Sequence, residues 1–305
     1  MALAVGIGCF GGGVWLLVES VEGLLKVVRG WATAAGISGV VLGALVLGFD
    51  VESTAAGVAA TLDDLPGTAL GTSVGAAIFL LTVGLGVAAL VAPFSVRTPP
   101  TLLGAAGAAT ALAITLSADG TLSRVDGALL ALAFPPLVAI LLRARRTPAP
   151  PAEGVRPDHL ALRVGGGLLG LVVGAELLVF GTERVVDQLG ISEAVFGLLV
   201  VAAAVSFEEV VLEALPAYRG FPELSVGNAL GTLIFLLTAS LGVIVLVRPL
   251  AFPDGVVEFH LPALAVSALL AGGLLARGRL GRPEGVLLMV AYVLYVAGAI
   301  AVGDA

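Results

Sequence analysis

The sequence predicts an all-α polytopic membrane protein whose ten transmembrane helices form two inverted five-helix repeats. Three observations carry that expectation. The 305-residue chain is 59% hydrophobic and 12% charged, where soluble domains run at about 25% charged, and its mean hydropathy is +1.12. Apolar runs of about 20 residues, long enough to cross a hydrocarbon core, recur along nearly the whole chain. A segment of the first half also returns in the second. The solid apolar runs do not match the alternating ten-residue segments of a β-barrel.

Polar punctuation places the spans near 3–25, 32–61, 67–93, 101–118, 125–143, 161–186, 192–217, 224–249, 259–276 and 284–302. The first lacks a basic leading region and a small-residue cleavage site, so it reads as a span rather than a removable signal. The only long polar connection is RARRTPAPPAEGVRPDH at 143–159, rich in Pro and Arg and therefore a linker. It divides the chain into a first five-helix repeat (1–143), a linker (144–160) and a second five-helix repeat (161–305). If loops alternate sides, twelve of the fifteen Lys and Arg residues fall on the linker's side. The other side collects only Arg124, Arg184 and Arg248. The positive-inside bias then makes the linker cytoplasmic and both termini external, in a multi-pass protein of the cell membrane.

The repeat is legible residue by residue. LGTSVGAAIFLLTVGLGVAALVAP (70–93) aligns without a gap on VGNALGTLIFLLTASLGVIVLVRP (226–249), an offset of 156. Leu65-Pro66 matches Phe221-Pro222 at the same offset, LLV at 16–18 resembles LLV at 177–179, and Gly36-Ile37-Ser38 resembles Gly190-Ile191-Ser192. An odd number of spans per half makes the copies antiparallel in the membrane. Inverted repeats of that kind mark secondary transporters, whose sites lie near the midplane between the repeats.

Acids inside these apolar spans are the candidate site, because a charge near the bilayer centre costs about 2.5–3.5 kcal/mol on insertion scales. GFDVES (48–53) carries Asp50 and Glu52, and VSFEEVVLEAL (205–215) carries Glu208, Glu209 and Glu213. Asp50 and Glu52 point to different faces of a regular helix, so a break at Gly48 is needed for both to converge. Glu208 and Glu209 stand about 100° apart on a helix, and such a pair would titrate together, which offers proton coupling beside sodium coupling. Glu213 lies on the Glu209 face one turn on, either as an entry-path group or as a headgroup-level charge. Thr82 and Thr238 are expected to bond within their own helices, with Thr72, Ser73 and Asn228 as secondary candidates. Glu19, Glu22, Glu176 and Glu183 are assigned interfacial positions.

LVVGAELLVFGTERVVDQLGISEAVFGLLVVAAAVSFEE (171–209), followed by VGNALGTLIF (226–235), resembles a repeat of the cation/calcium exchanger superfamily, which includes sodium/calcium exchangers. The pattern there runs GAELLV, then GIS, then GTSLPE, then GNxxGSNIF. The resemblance spans both halves and implies a ten-helix inverted-repeat fold. It also implies an ion site of oxygen ligands from the second and third helices of each repeat, dominated by one glutamate per repeat. Carried over by position, Glu209 falls on the motif glutamate, Ser206 on the motif serine and Thr232 on the serine of GSN. Glu52 is the best match in the first repeat, although the ungapped offset sets it opposite Glu208. The motif threonine and proline are replaced by Val205 and Glu208, and polar ligand positions hold Ala76, Leu80 and Leu236. Calcium takes six to eight oxygens, so this chain offers more carboxylates and fewer neutral ligands.

The expected function is a secondary antiporter exchanging calcium for sodium by alternating access, with Glu52 and Glu209, from opposite repeats, meeting at the midplane as the charged centre and Glu208 as the alternative to Glu209. The metal-ligating candidates are Glu52, Glu209, Glu208, Asp50, Ser206 and Thr232. The rival readings are a monovalent cation/proton or calcium/proton exchanger, and a degenerate membrane scaffold or sensor that transports nothing. Calcium, sodium or protons are cargo and no cofactor is expected. The partners are those ions and the lipid bilayer, with oligomeric state left open. A net charge of −7 argues against nucleic acid. The single Cys9 forms no intrachain disulfide, and His159 and His260 have no partner at metal-ligand spacing. GxxxxGKS, GxSxG and HExxH are absent, so neither ATP-driven pumping nor enzymatic hydrolysis is supported.

Overall fold

The computed structural model describes residues 2–35, 38–143, 160–189 and 207–303. It is predominantly helical. In chain order the elements are α1 (Ala2–Ala35), α2 (Gly39–Val46), α3 (Val51–Leu62), α4 (Pro66–Val91), β1 (Phe94–Ser95), α5 (Pro100–Leu116), β2 (Thr121–Leu122) and α6 (Arg124–Arg143). There follow α7 (Leu160–Leu189), α8 (Phe207–Tyr218), α9 (Pro222–Val247), β3 (Leu250–Ala251), α10 (Val256–Ala276), β4 (Arg279–Leu280) and α11 (Arg282–Gly303). Among the described residues eight helical segments are long and apolar enough to cross a membrane, with α2 and α3 counted together as one.

Three expectations are adjusted. The span predicted at 32–61 is interrupted, since α1 runs on to Ala35 and the chain leaves the helix between α2 and α3. The predicted fourth span is the 17-residue α5, shortened at its end by a cap at Ser117. Leu160, assigned to the linker, already begins α7. The remainder of the linker, the predicted Gly36-Ile37 and Gly190-Ile191-Ser192 matches (apart from Ser38), and residues 192–206 of the seventh predicted span lie outside the described residues.

Local chemistry sets the helix starts. Pro66, Pro100 and Pro222 occupy the first helical turn of α4, α5 and α9, where a missing N–H costs nothing. Ser38 Oγ accepts the Val41 amide at 3.3 Å and opens α2. The helices α4 and α9 are both π-helical at corresponding places, Leu80–Gly84 and Leu236–Ser240, and their apolar faces form the centre of the bundle. Leu80, Leu81, Leu85, Leu236, Leu237 and Leu241 are at most 1% exposed. A second cluster, including Leu17, Leu24, Leu178 and Leu212, joins α1, α7 and α8. Two short antiparallel ladders tie the loops together: Phe94 pairs with Leu280 and Ser95 with Arg279, while Thr121 pairs with Ala251 and Leu122 with Leu250.

The helices α1 and α7 run antiparallel in backbone contact. A Cβ on Gly13 would fall on the Leu178 backbone at 2.6 Å, and one on Gly174 would meet the Leu17 side chain at 2.9 Å and its amide nitrogen at 3.1 Å. Small residues allow such approach within a bilayer. Gly174→Val is expected to separate the helices and destabilise the protein by about 1–3 kcal/mol, read as a lower melting temperature in detergent. Gly8→Val, where a Cβ meets nothing within 4 Å, is the control that stays near wild type.

Candidate functional site

The site begins at the break between α2 and α3. Leu47 closes α2, and Asp50 caps α3 by accepting the Ser53 amide at Oδ1, 2.8 Å away. The chain runs non-helically at Asp50 before α3 starts, the discontinuity that the sequence requires at Gly48. Gly48 has a packing reason as well. A Cβ there would lie 2.8 Å from the carbonyl carbon of Gly231 on α9, so two backbones cross where neither residue has a side chain. Phe49, Phe134 and Phe235 close over this crossing, with ring centroids 5.3–5.7 Å apart.

Glu52 stands on the first turn of α3, and Glu208 and Glu209 on the first turn of α8. All three are half-buried. The Glu52 and Glu208 carboxyls face each other within hydrogen-bonding reach. Those two residues are separated by the repeat offset of 156. Glu209 lies within electrostatic reach of Asp50, Glu52 and Glu208. Among the described residues Asp50 Oδ2 is buried with no hydrogen-bond partner, and no Lys or Arg forms an ion pair with any of the four acids. Among the described residues no three Asp, Glu, His or Cys side chains are grouped to hold a metal ion. A cation shared by Glu52 and Glu208 therefore needs neutral oxygens to complete its shell.

The neutral candidates divide. Thr232 is buried one residue beyond Gly231, its hydroxyl 3.5 Å from Asn228 Oδ1. Ser73 Oγ is buried with no partner among the described residues. Thr82 and Thr238 donate to the carbonyls of Ile78 and Ile234 in their own helices, as expected of packing hydroxyls. Ser206 lies outside the described residues.

Two features were not legible beforehand. Thr54 Oγ1 and Ser240 Oγ are 2.9 Å apart and join α3 to the π-helical segment of α9. Glu213 is 0% exposed and both its carboxylate oxygens lack partners among the described residues, so it is not a headgroup-level charge. It fits because Gly84 opposes it, leaving Glu213 Oε2 in the space a Cβ would take. The sequence signal was a loss of symmetry at offset 156, where Gly57 and Gly84 of the first half correspond to Glu213 and Ser240 of the second. Glu213→Met keeps the volume and removes two unsatisfied oxygens. It is expected to raise stability by about 1–3 kcal/mol, measured as a higher melting temperature in detergent.

Facing acids at a helix interruption, inside a bundle of membrane-spanning helices, define a cation-handling secondary transporter. The family profile described as "Sodium/calcium exchanger protein" matches residues 5–143 and 159–301, and the chain belongs to that family of membrane antiporters. It is 26% identical to the putative antiporter CaxA of Alkalimonas amylolytica over 93% of this chain and 95% of that one. It is 32% identical to the inner membrane protein YrbG of Escherichia coli, over 43% of this chain and only 40% of that protein's length. The fold superposes on the sodium-calcium exchanger NCX_Mj, in a structure soaked with sodium and strontium, with a TM-score of 0.83 and 24% identity over 97% of this chain and 98% of that one.

Proposed function

We propose that the protein exchanges calcium for sodium by alternating access, with Glu52 and Glu208 as the charged centre of the ion site and Asp50 and Glu209 beside them. Ser206 and Thr232 are the proposed neutral ligands, and the ions are cargo with no resident cofactor. The observation that carries the reading is the meeting of Glu52 and Glu208 carboxyl to carboxyl, from helices of opposite halves. Two facing carboxylates that form no ion pair among the described residues attract a divalent cation, and hard oxygen ligands suit calcium. Relatives bearing the names sodium/calcium exchanger MaX1, of Methanosarcina acetivorans, and putative antiporter CaxA support the substrate class.

The proposed frame is ten helices in two inverted repeats, 1–143 and 161–305. Several equivalences support it. The helices α4 and α9 have equal lengths of 26 residues and π-helical segments at offset 156. Gly13 against Leu178 repeats as Gly174 against Leu17. The β1–β4 ladder has its counterpart in β3–β2. The basic residues favour a cytoplasmic linker and external termini in the cell membrane.

The test is calcium-45 uptake into sodium-loaded proteoliposomes, with a pH gradient imposed in a parallel arm. Uptake that follows the sodium gradient is expected. Uptake driven only by protons would replace sodium as the coupling ion, and flux under neither gradient would sink the calcium assignment.

A further inference from the structure

Away from the acids, an apolar cleft of about 420 Å³ opens between α5 and α10. Its floor is Leu81 of α4 with Leu230 and Leu233 of α9, and its walls are largely Ala and Gly. Gly107 and Gly273 line it, and a Cβ on either would meet nothing within 4 Å. Thr110, the one hydroxyl in the lining, already donates to the Ala106 carbonyl at 2.9 Å. The cleft therefore presents no unmet polar demand and suits a hydrocarbon occupant.

Its length and its neighbours narrow the occupant. The lining runs from Leu103 to Ile114 on α5 and from Ala276 back to Ala265 on α10. Eleven helical steps cover ~16 Å, about half the ~30 Å hydrocarbon core and so the depth of one leaflet. At one end Ala276 leads directly into Arg277 and Arg279, and Leu103 stands six residues after Arg97. The β1–β4 ladder brings these strands together, with Ser95 opposite Arg279 and the Val96 amide bonded to the Gly278 carbonyl at 3.0 Å. Arg97, Arg277 and Arg279 are exposed, and among the described residues none forms an ion pair, whereas Arg219 and Arg248 do. We propose that this cleft is a binding site for an anionic phospholipid, with one acyl chain between α5 and α10 and the headgroup phosphate among Arg97, Arg277 and Arg279.

The site is independent of the ion assignment and is tested without transport. Purified full-length protein in detergent is titrated with phosphatidylglycerol or phosphatidylcholine of equal chain length, and bound lipid is counted by native mass spectrometry. One phosphatidylglycerol is expected to bind saturably and in preference to phosphatidylcholine. That preference should fall about fivefold for each of Arg97→Gln, Arg277→Gln and Arg279→Gln. Gly107→Phe, which fills open space, should lose both lipids with no drop in melting temperature. Excess inorganic phosphate should leave the bound lipid in place. Equal binding of the two lipids, undiminished binding in Gly107→Phe, or arginine variants that keep the wild-type preference would each overturn the proposal. If Gly107→Phe fails to fold, the exposed arginine variants still decide it.

Discussion

Glu208→Gln is expected to lower sodium-driven calcium uptake by about a hundredfold or more, with Glu52→Gln doing the same and the double variant little worse. Their carboxyls face each other, so removing one charge leaves the other without a partner for the shared cation. A residue that only orients a metal ligand is worth about 10–100-fold in metal affinity or activity, and a carboxylate that itself holds the ion is worth at least as much. Groups acting as a unit also lose function non-additively. Glu209→Gln separates the two acids that the sequence leaves adjacent. On the observed geometry Glu209 acts from electrostatic reach and its loss should cost less than that of Glu208. Calcium-45 uptake by the four variants, normalised to protein correctly inserted, decides the matter. A Glu209→Gln loss exceeding that of Glu208→Gln would move the ion one residue along α8.

Gly231→Ala is expected to be severely damaging for the addition of a single methyl group. The added Cβ would land on the backbone of Ala44, including its Cα and carbonyl oxygen, and a backbone cannot swing aside as a side chain does. Gly48 meets the same crossing from α2's end, so the substitution would push the α2–α3 segment that presents Asp50 and Glu52 away from α9. Overpacking usually costs about 1–3 kcal/mol and sometimes more, and a shift of this kind also displaces ligands. The expected result is a lower melting temperature in detergent together with lost uptake. Gly104→Ala, on α5 with open space around the new Cβ, should be neutral or slightly stabilising. A Gly231→Ala protein that melts and transports like wild type would show that the crossing tolerates separation.

Much of this arrangement was readable because bilayers enforce simple rules. Apolar length gave most of the helices, and the matched Leu65-Pro66 and Phe221-Pro222 stand where α4 and α9 begin. The motif spacing pointed to Glu209 as the partner of Glu52, while the offset of 156 set Glu52 opposite Glu208, and it is the Glu208 carboxyl that the structure brings to Glu52. What stayed hidden depends on contacts between distant segments. Helical spacing puts Glu213 on the Glu209 face but says nothing about Gly84 making room for its carboxylate. The bond between Thr54 and Ser240 joins residues 186 positions apart. The π-helical segments at Leu80–Gly84 and Leu236–Ser240 follow from backbone packing, for the IFLLT runs read as ordinary helix.

The two loop ladders constrain how the molecule can move. Each is only two residues long, yet each staples a loop before residue 143 to one after residue 247. The α4–α5 and α10–α11 connections therefore travel together, as do those joining α5 to α6 and α9 to α10. With these points pinned, the scaffold keeps few internal degrees of freedom. Neither ladder includes the segments flanking α1 or α7, so that glycine-packed pair is held to its neighbours by side-chain contacts such as the cluster with Leu212 and the Arg219–Glu22 ion pair, which can rearrange without breaking a backbone ladder.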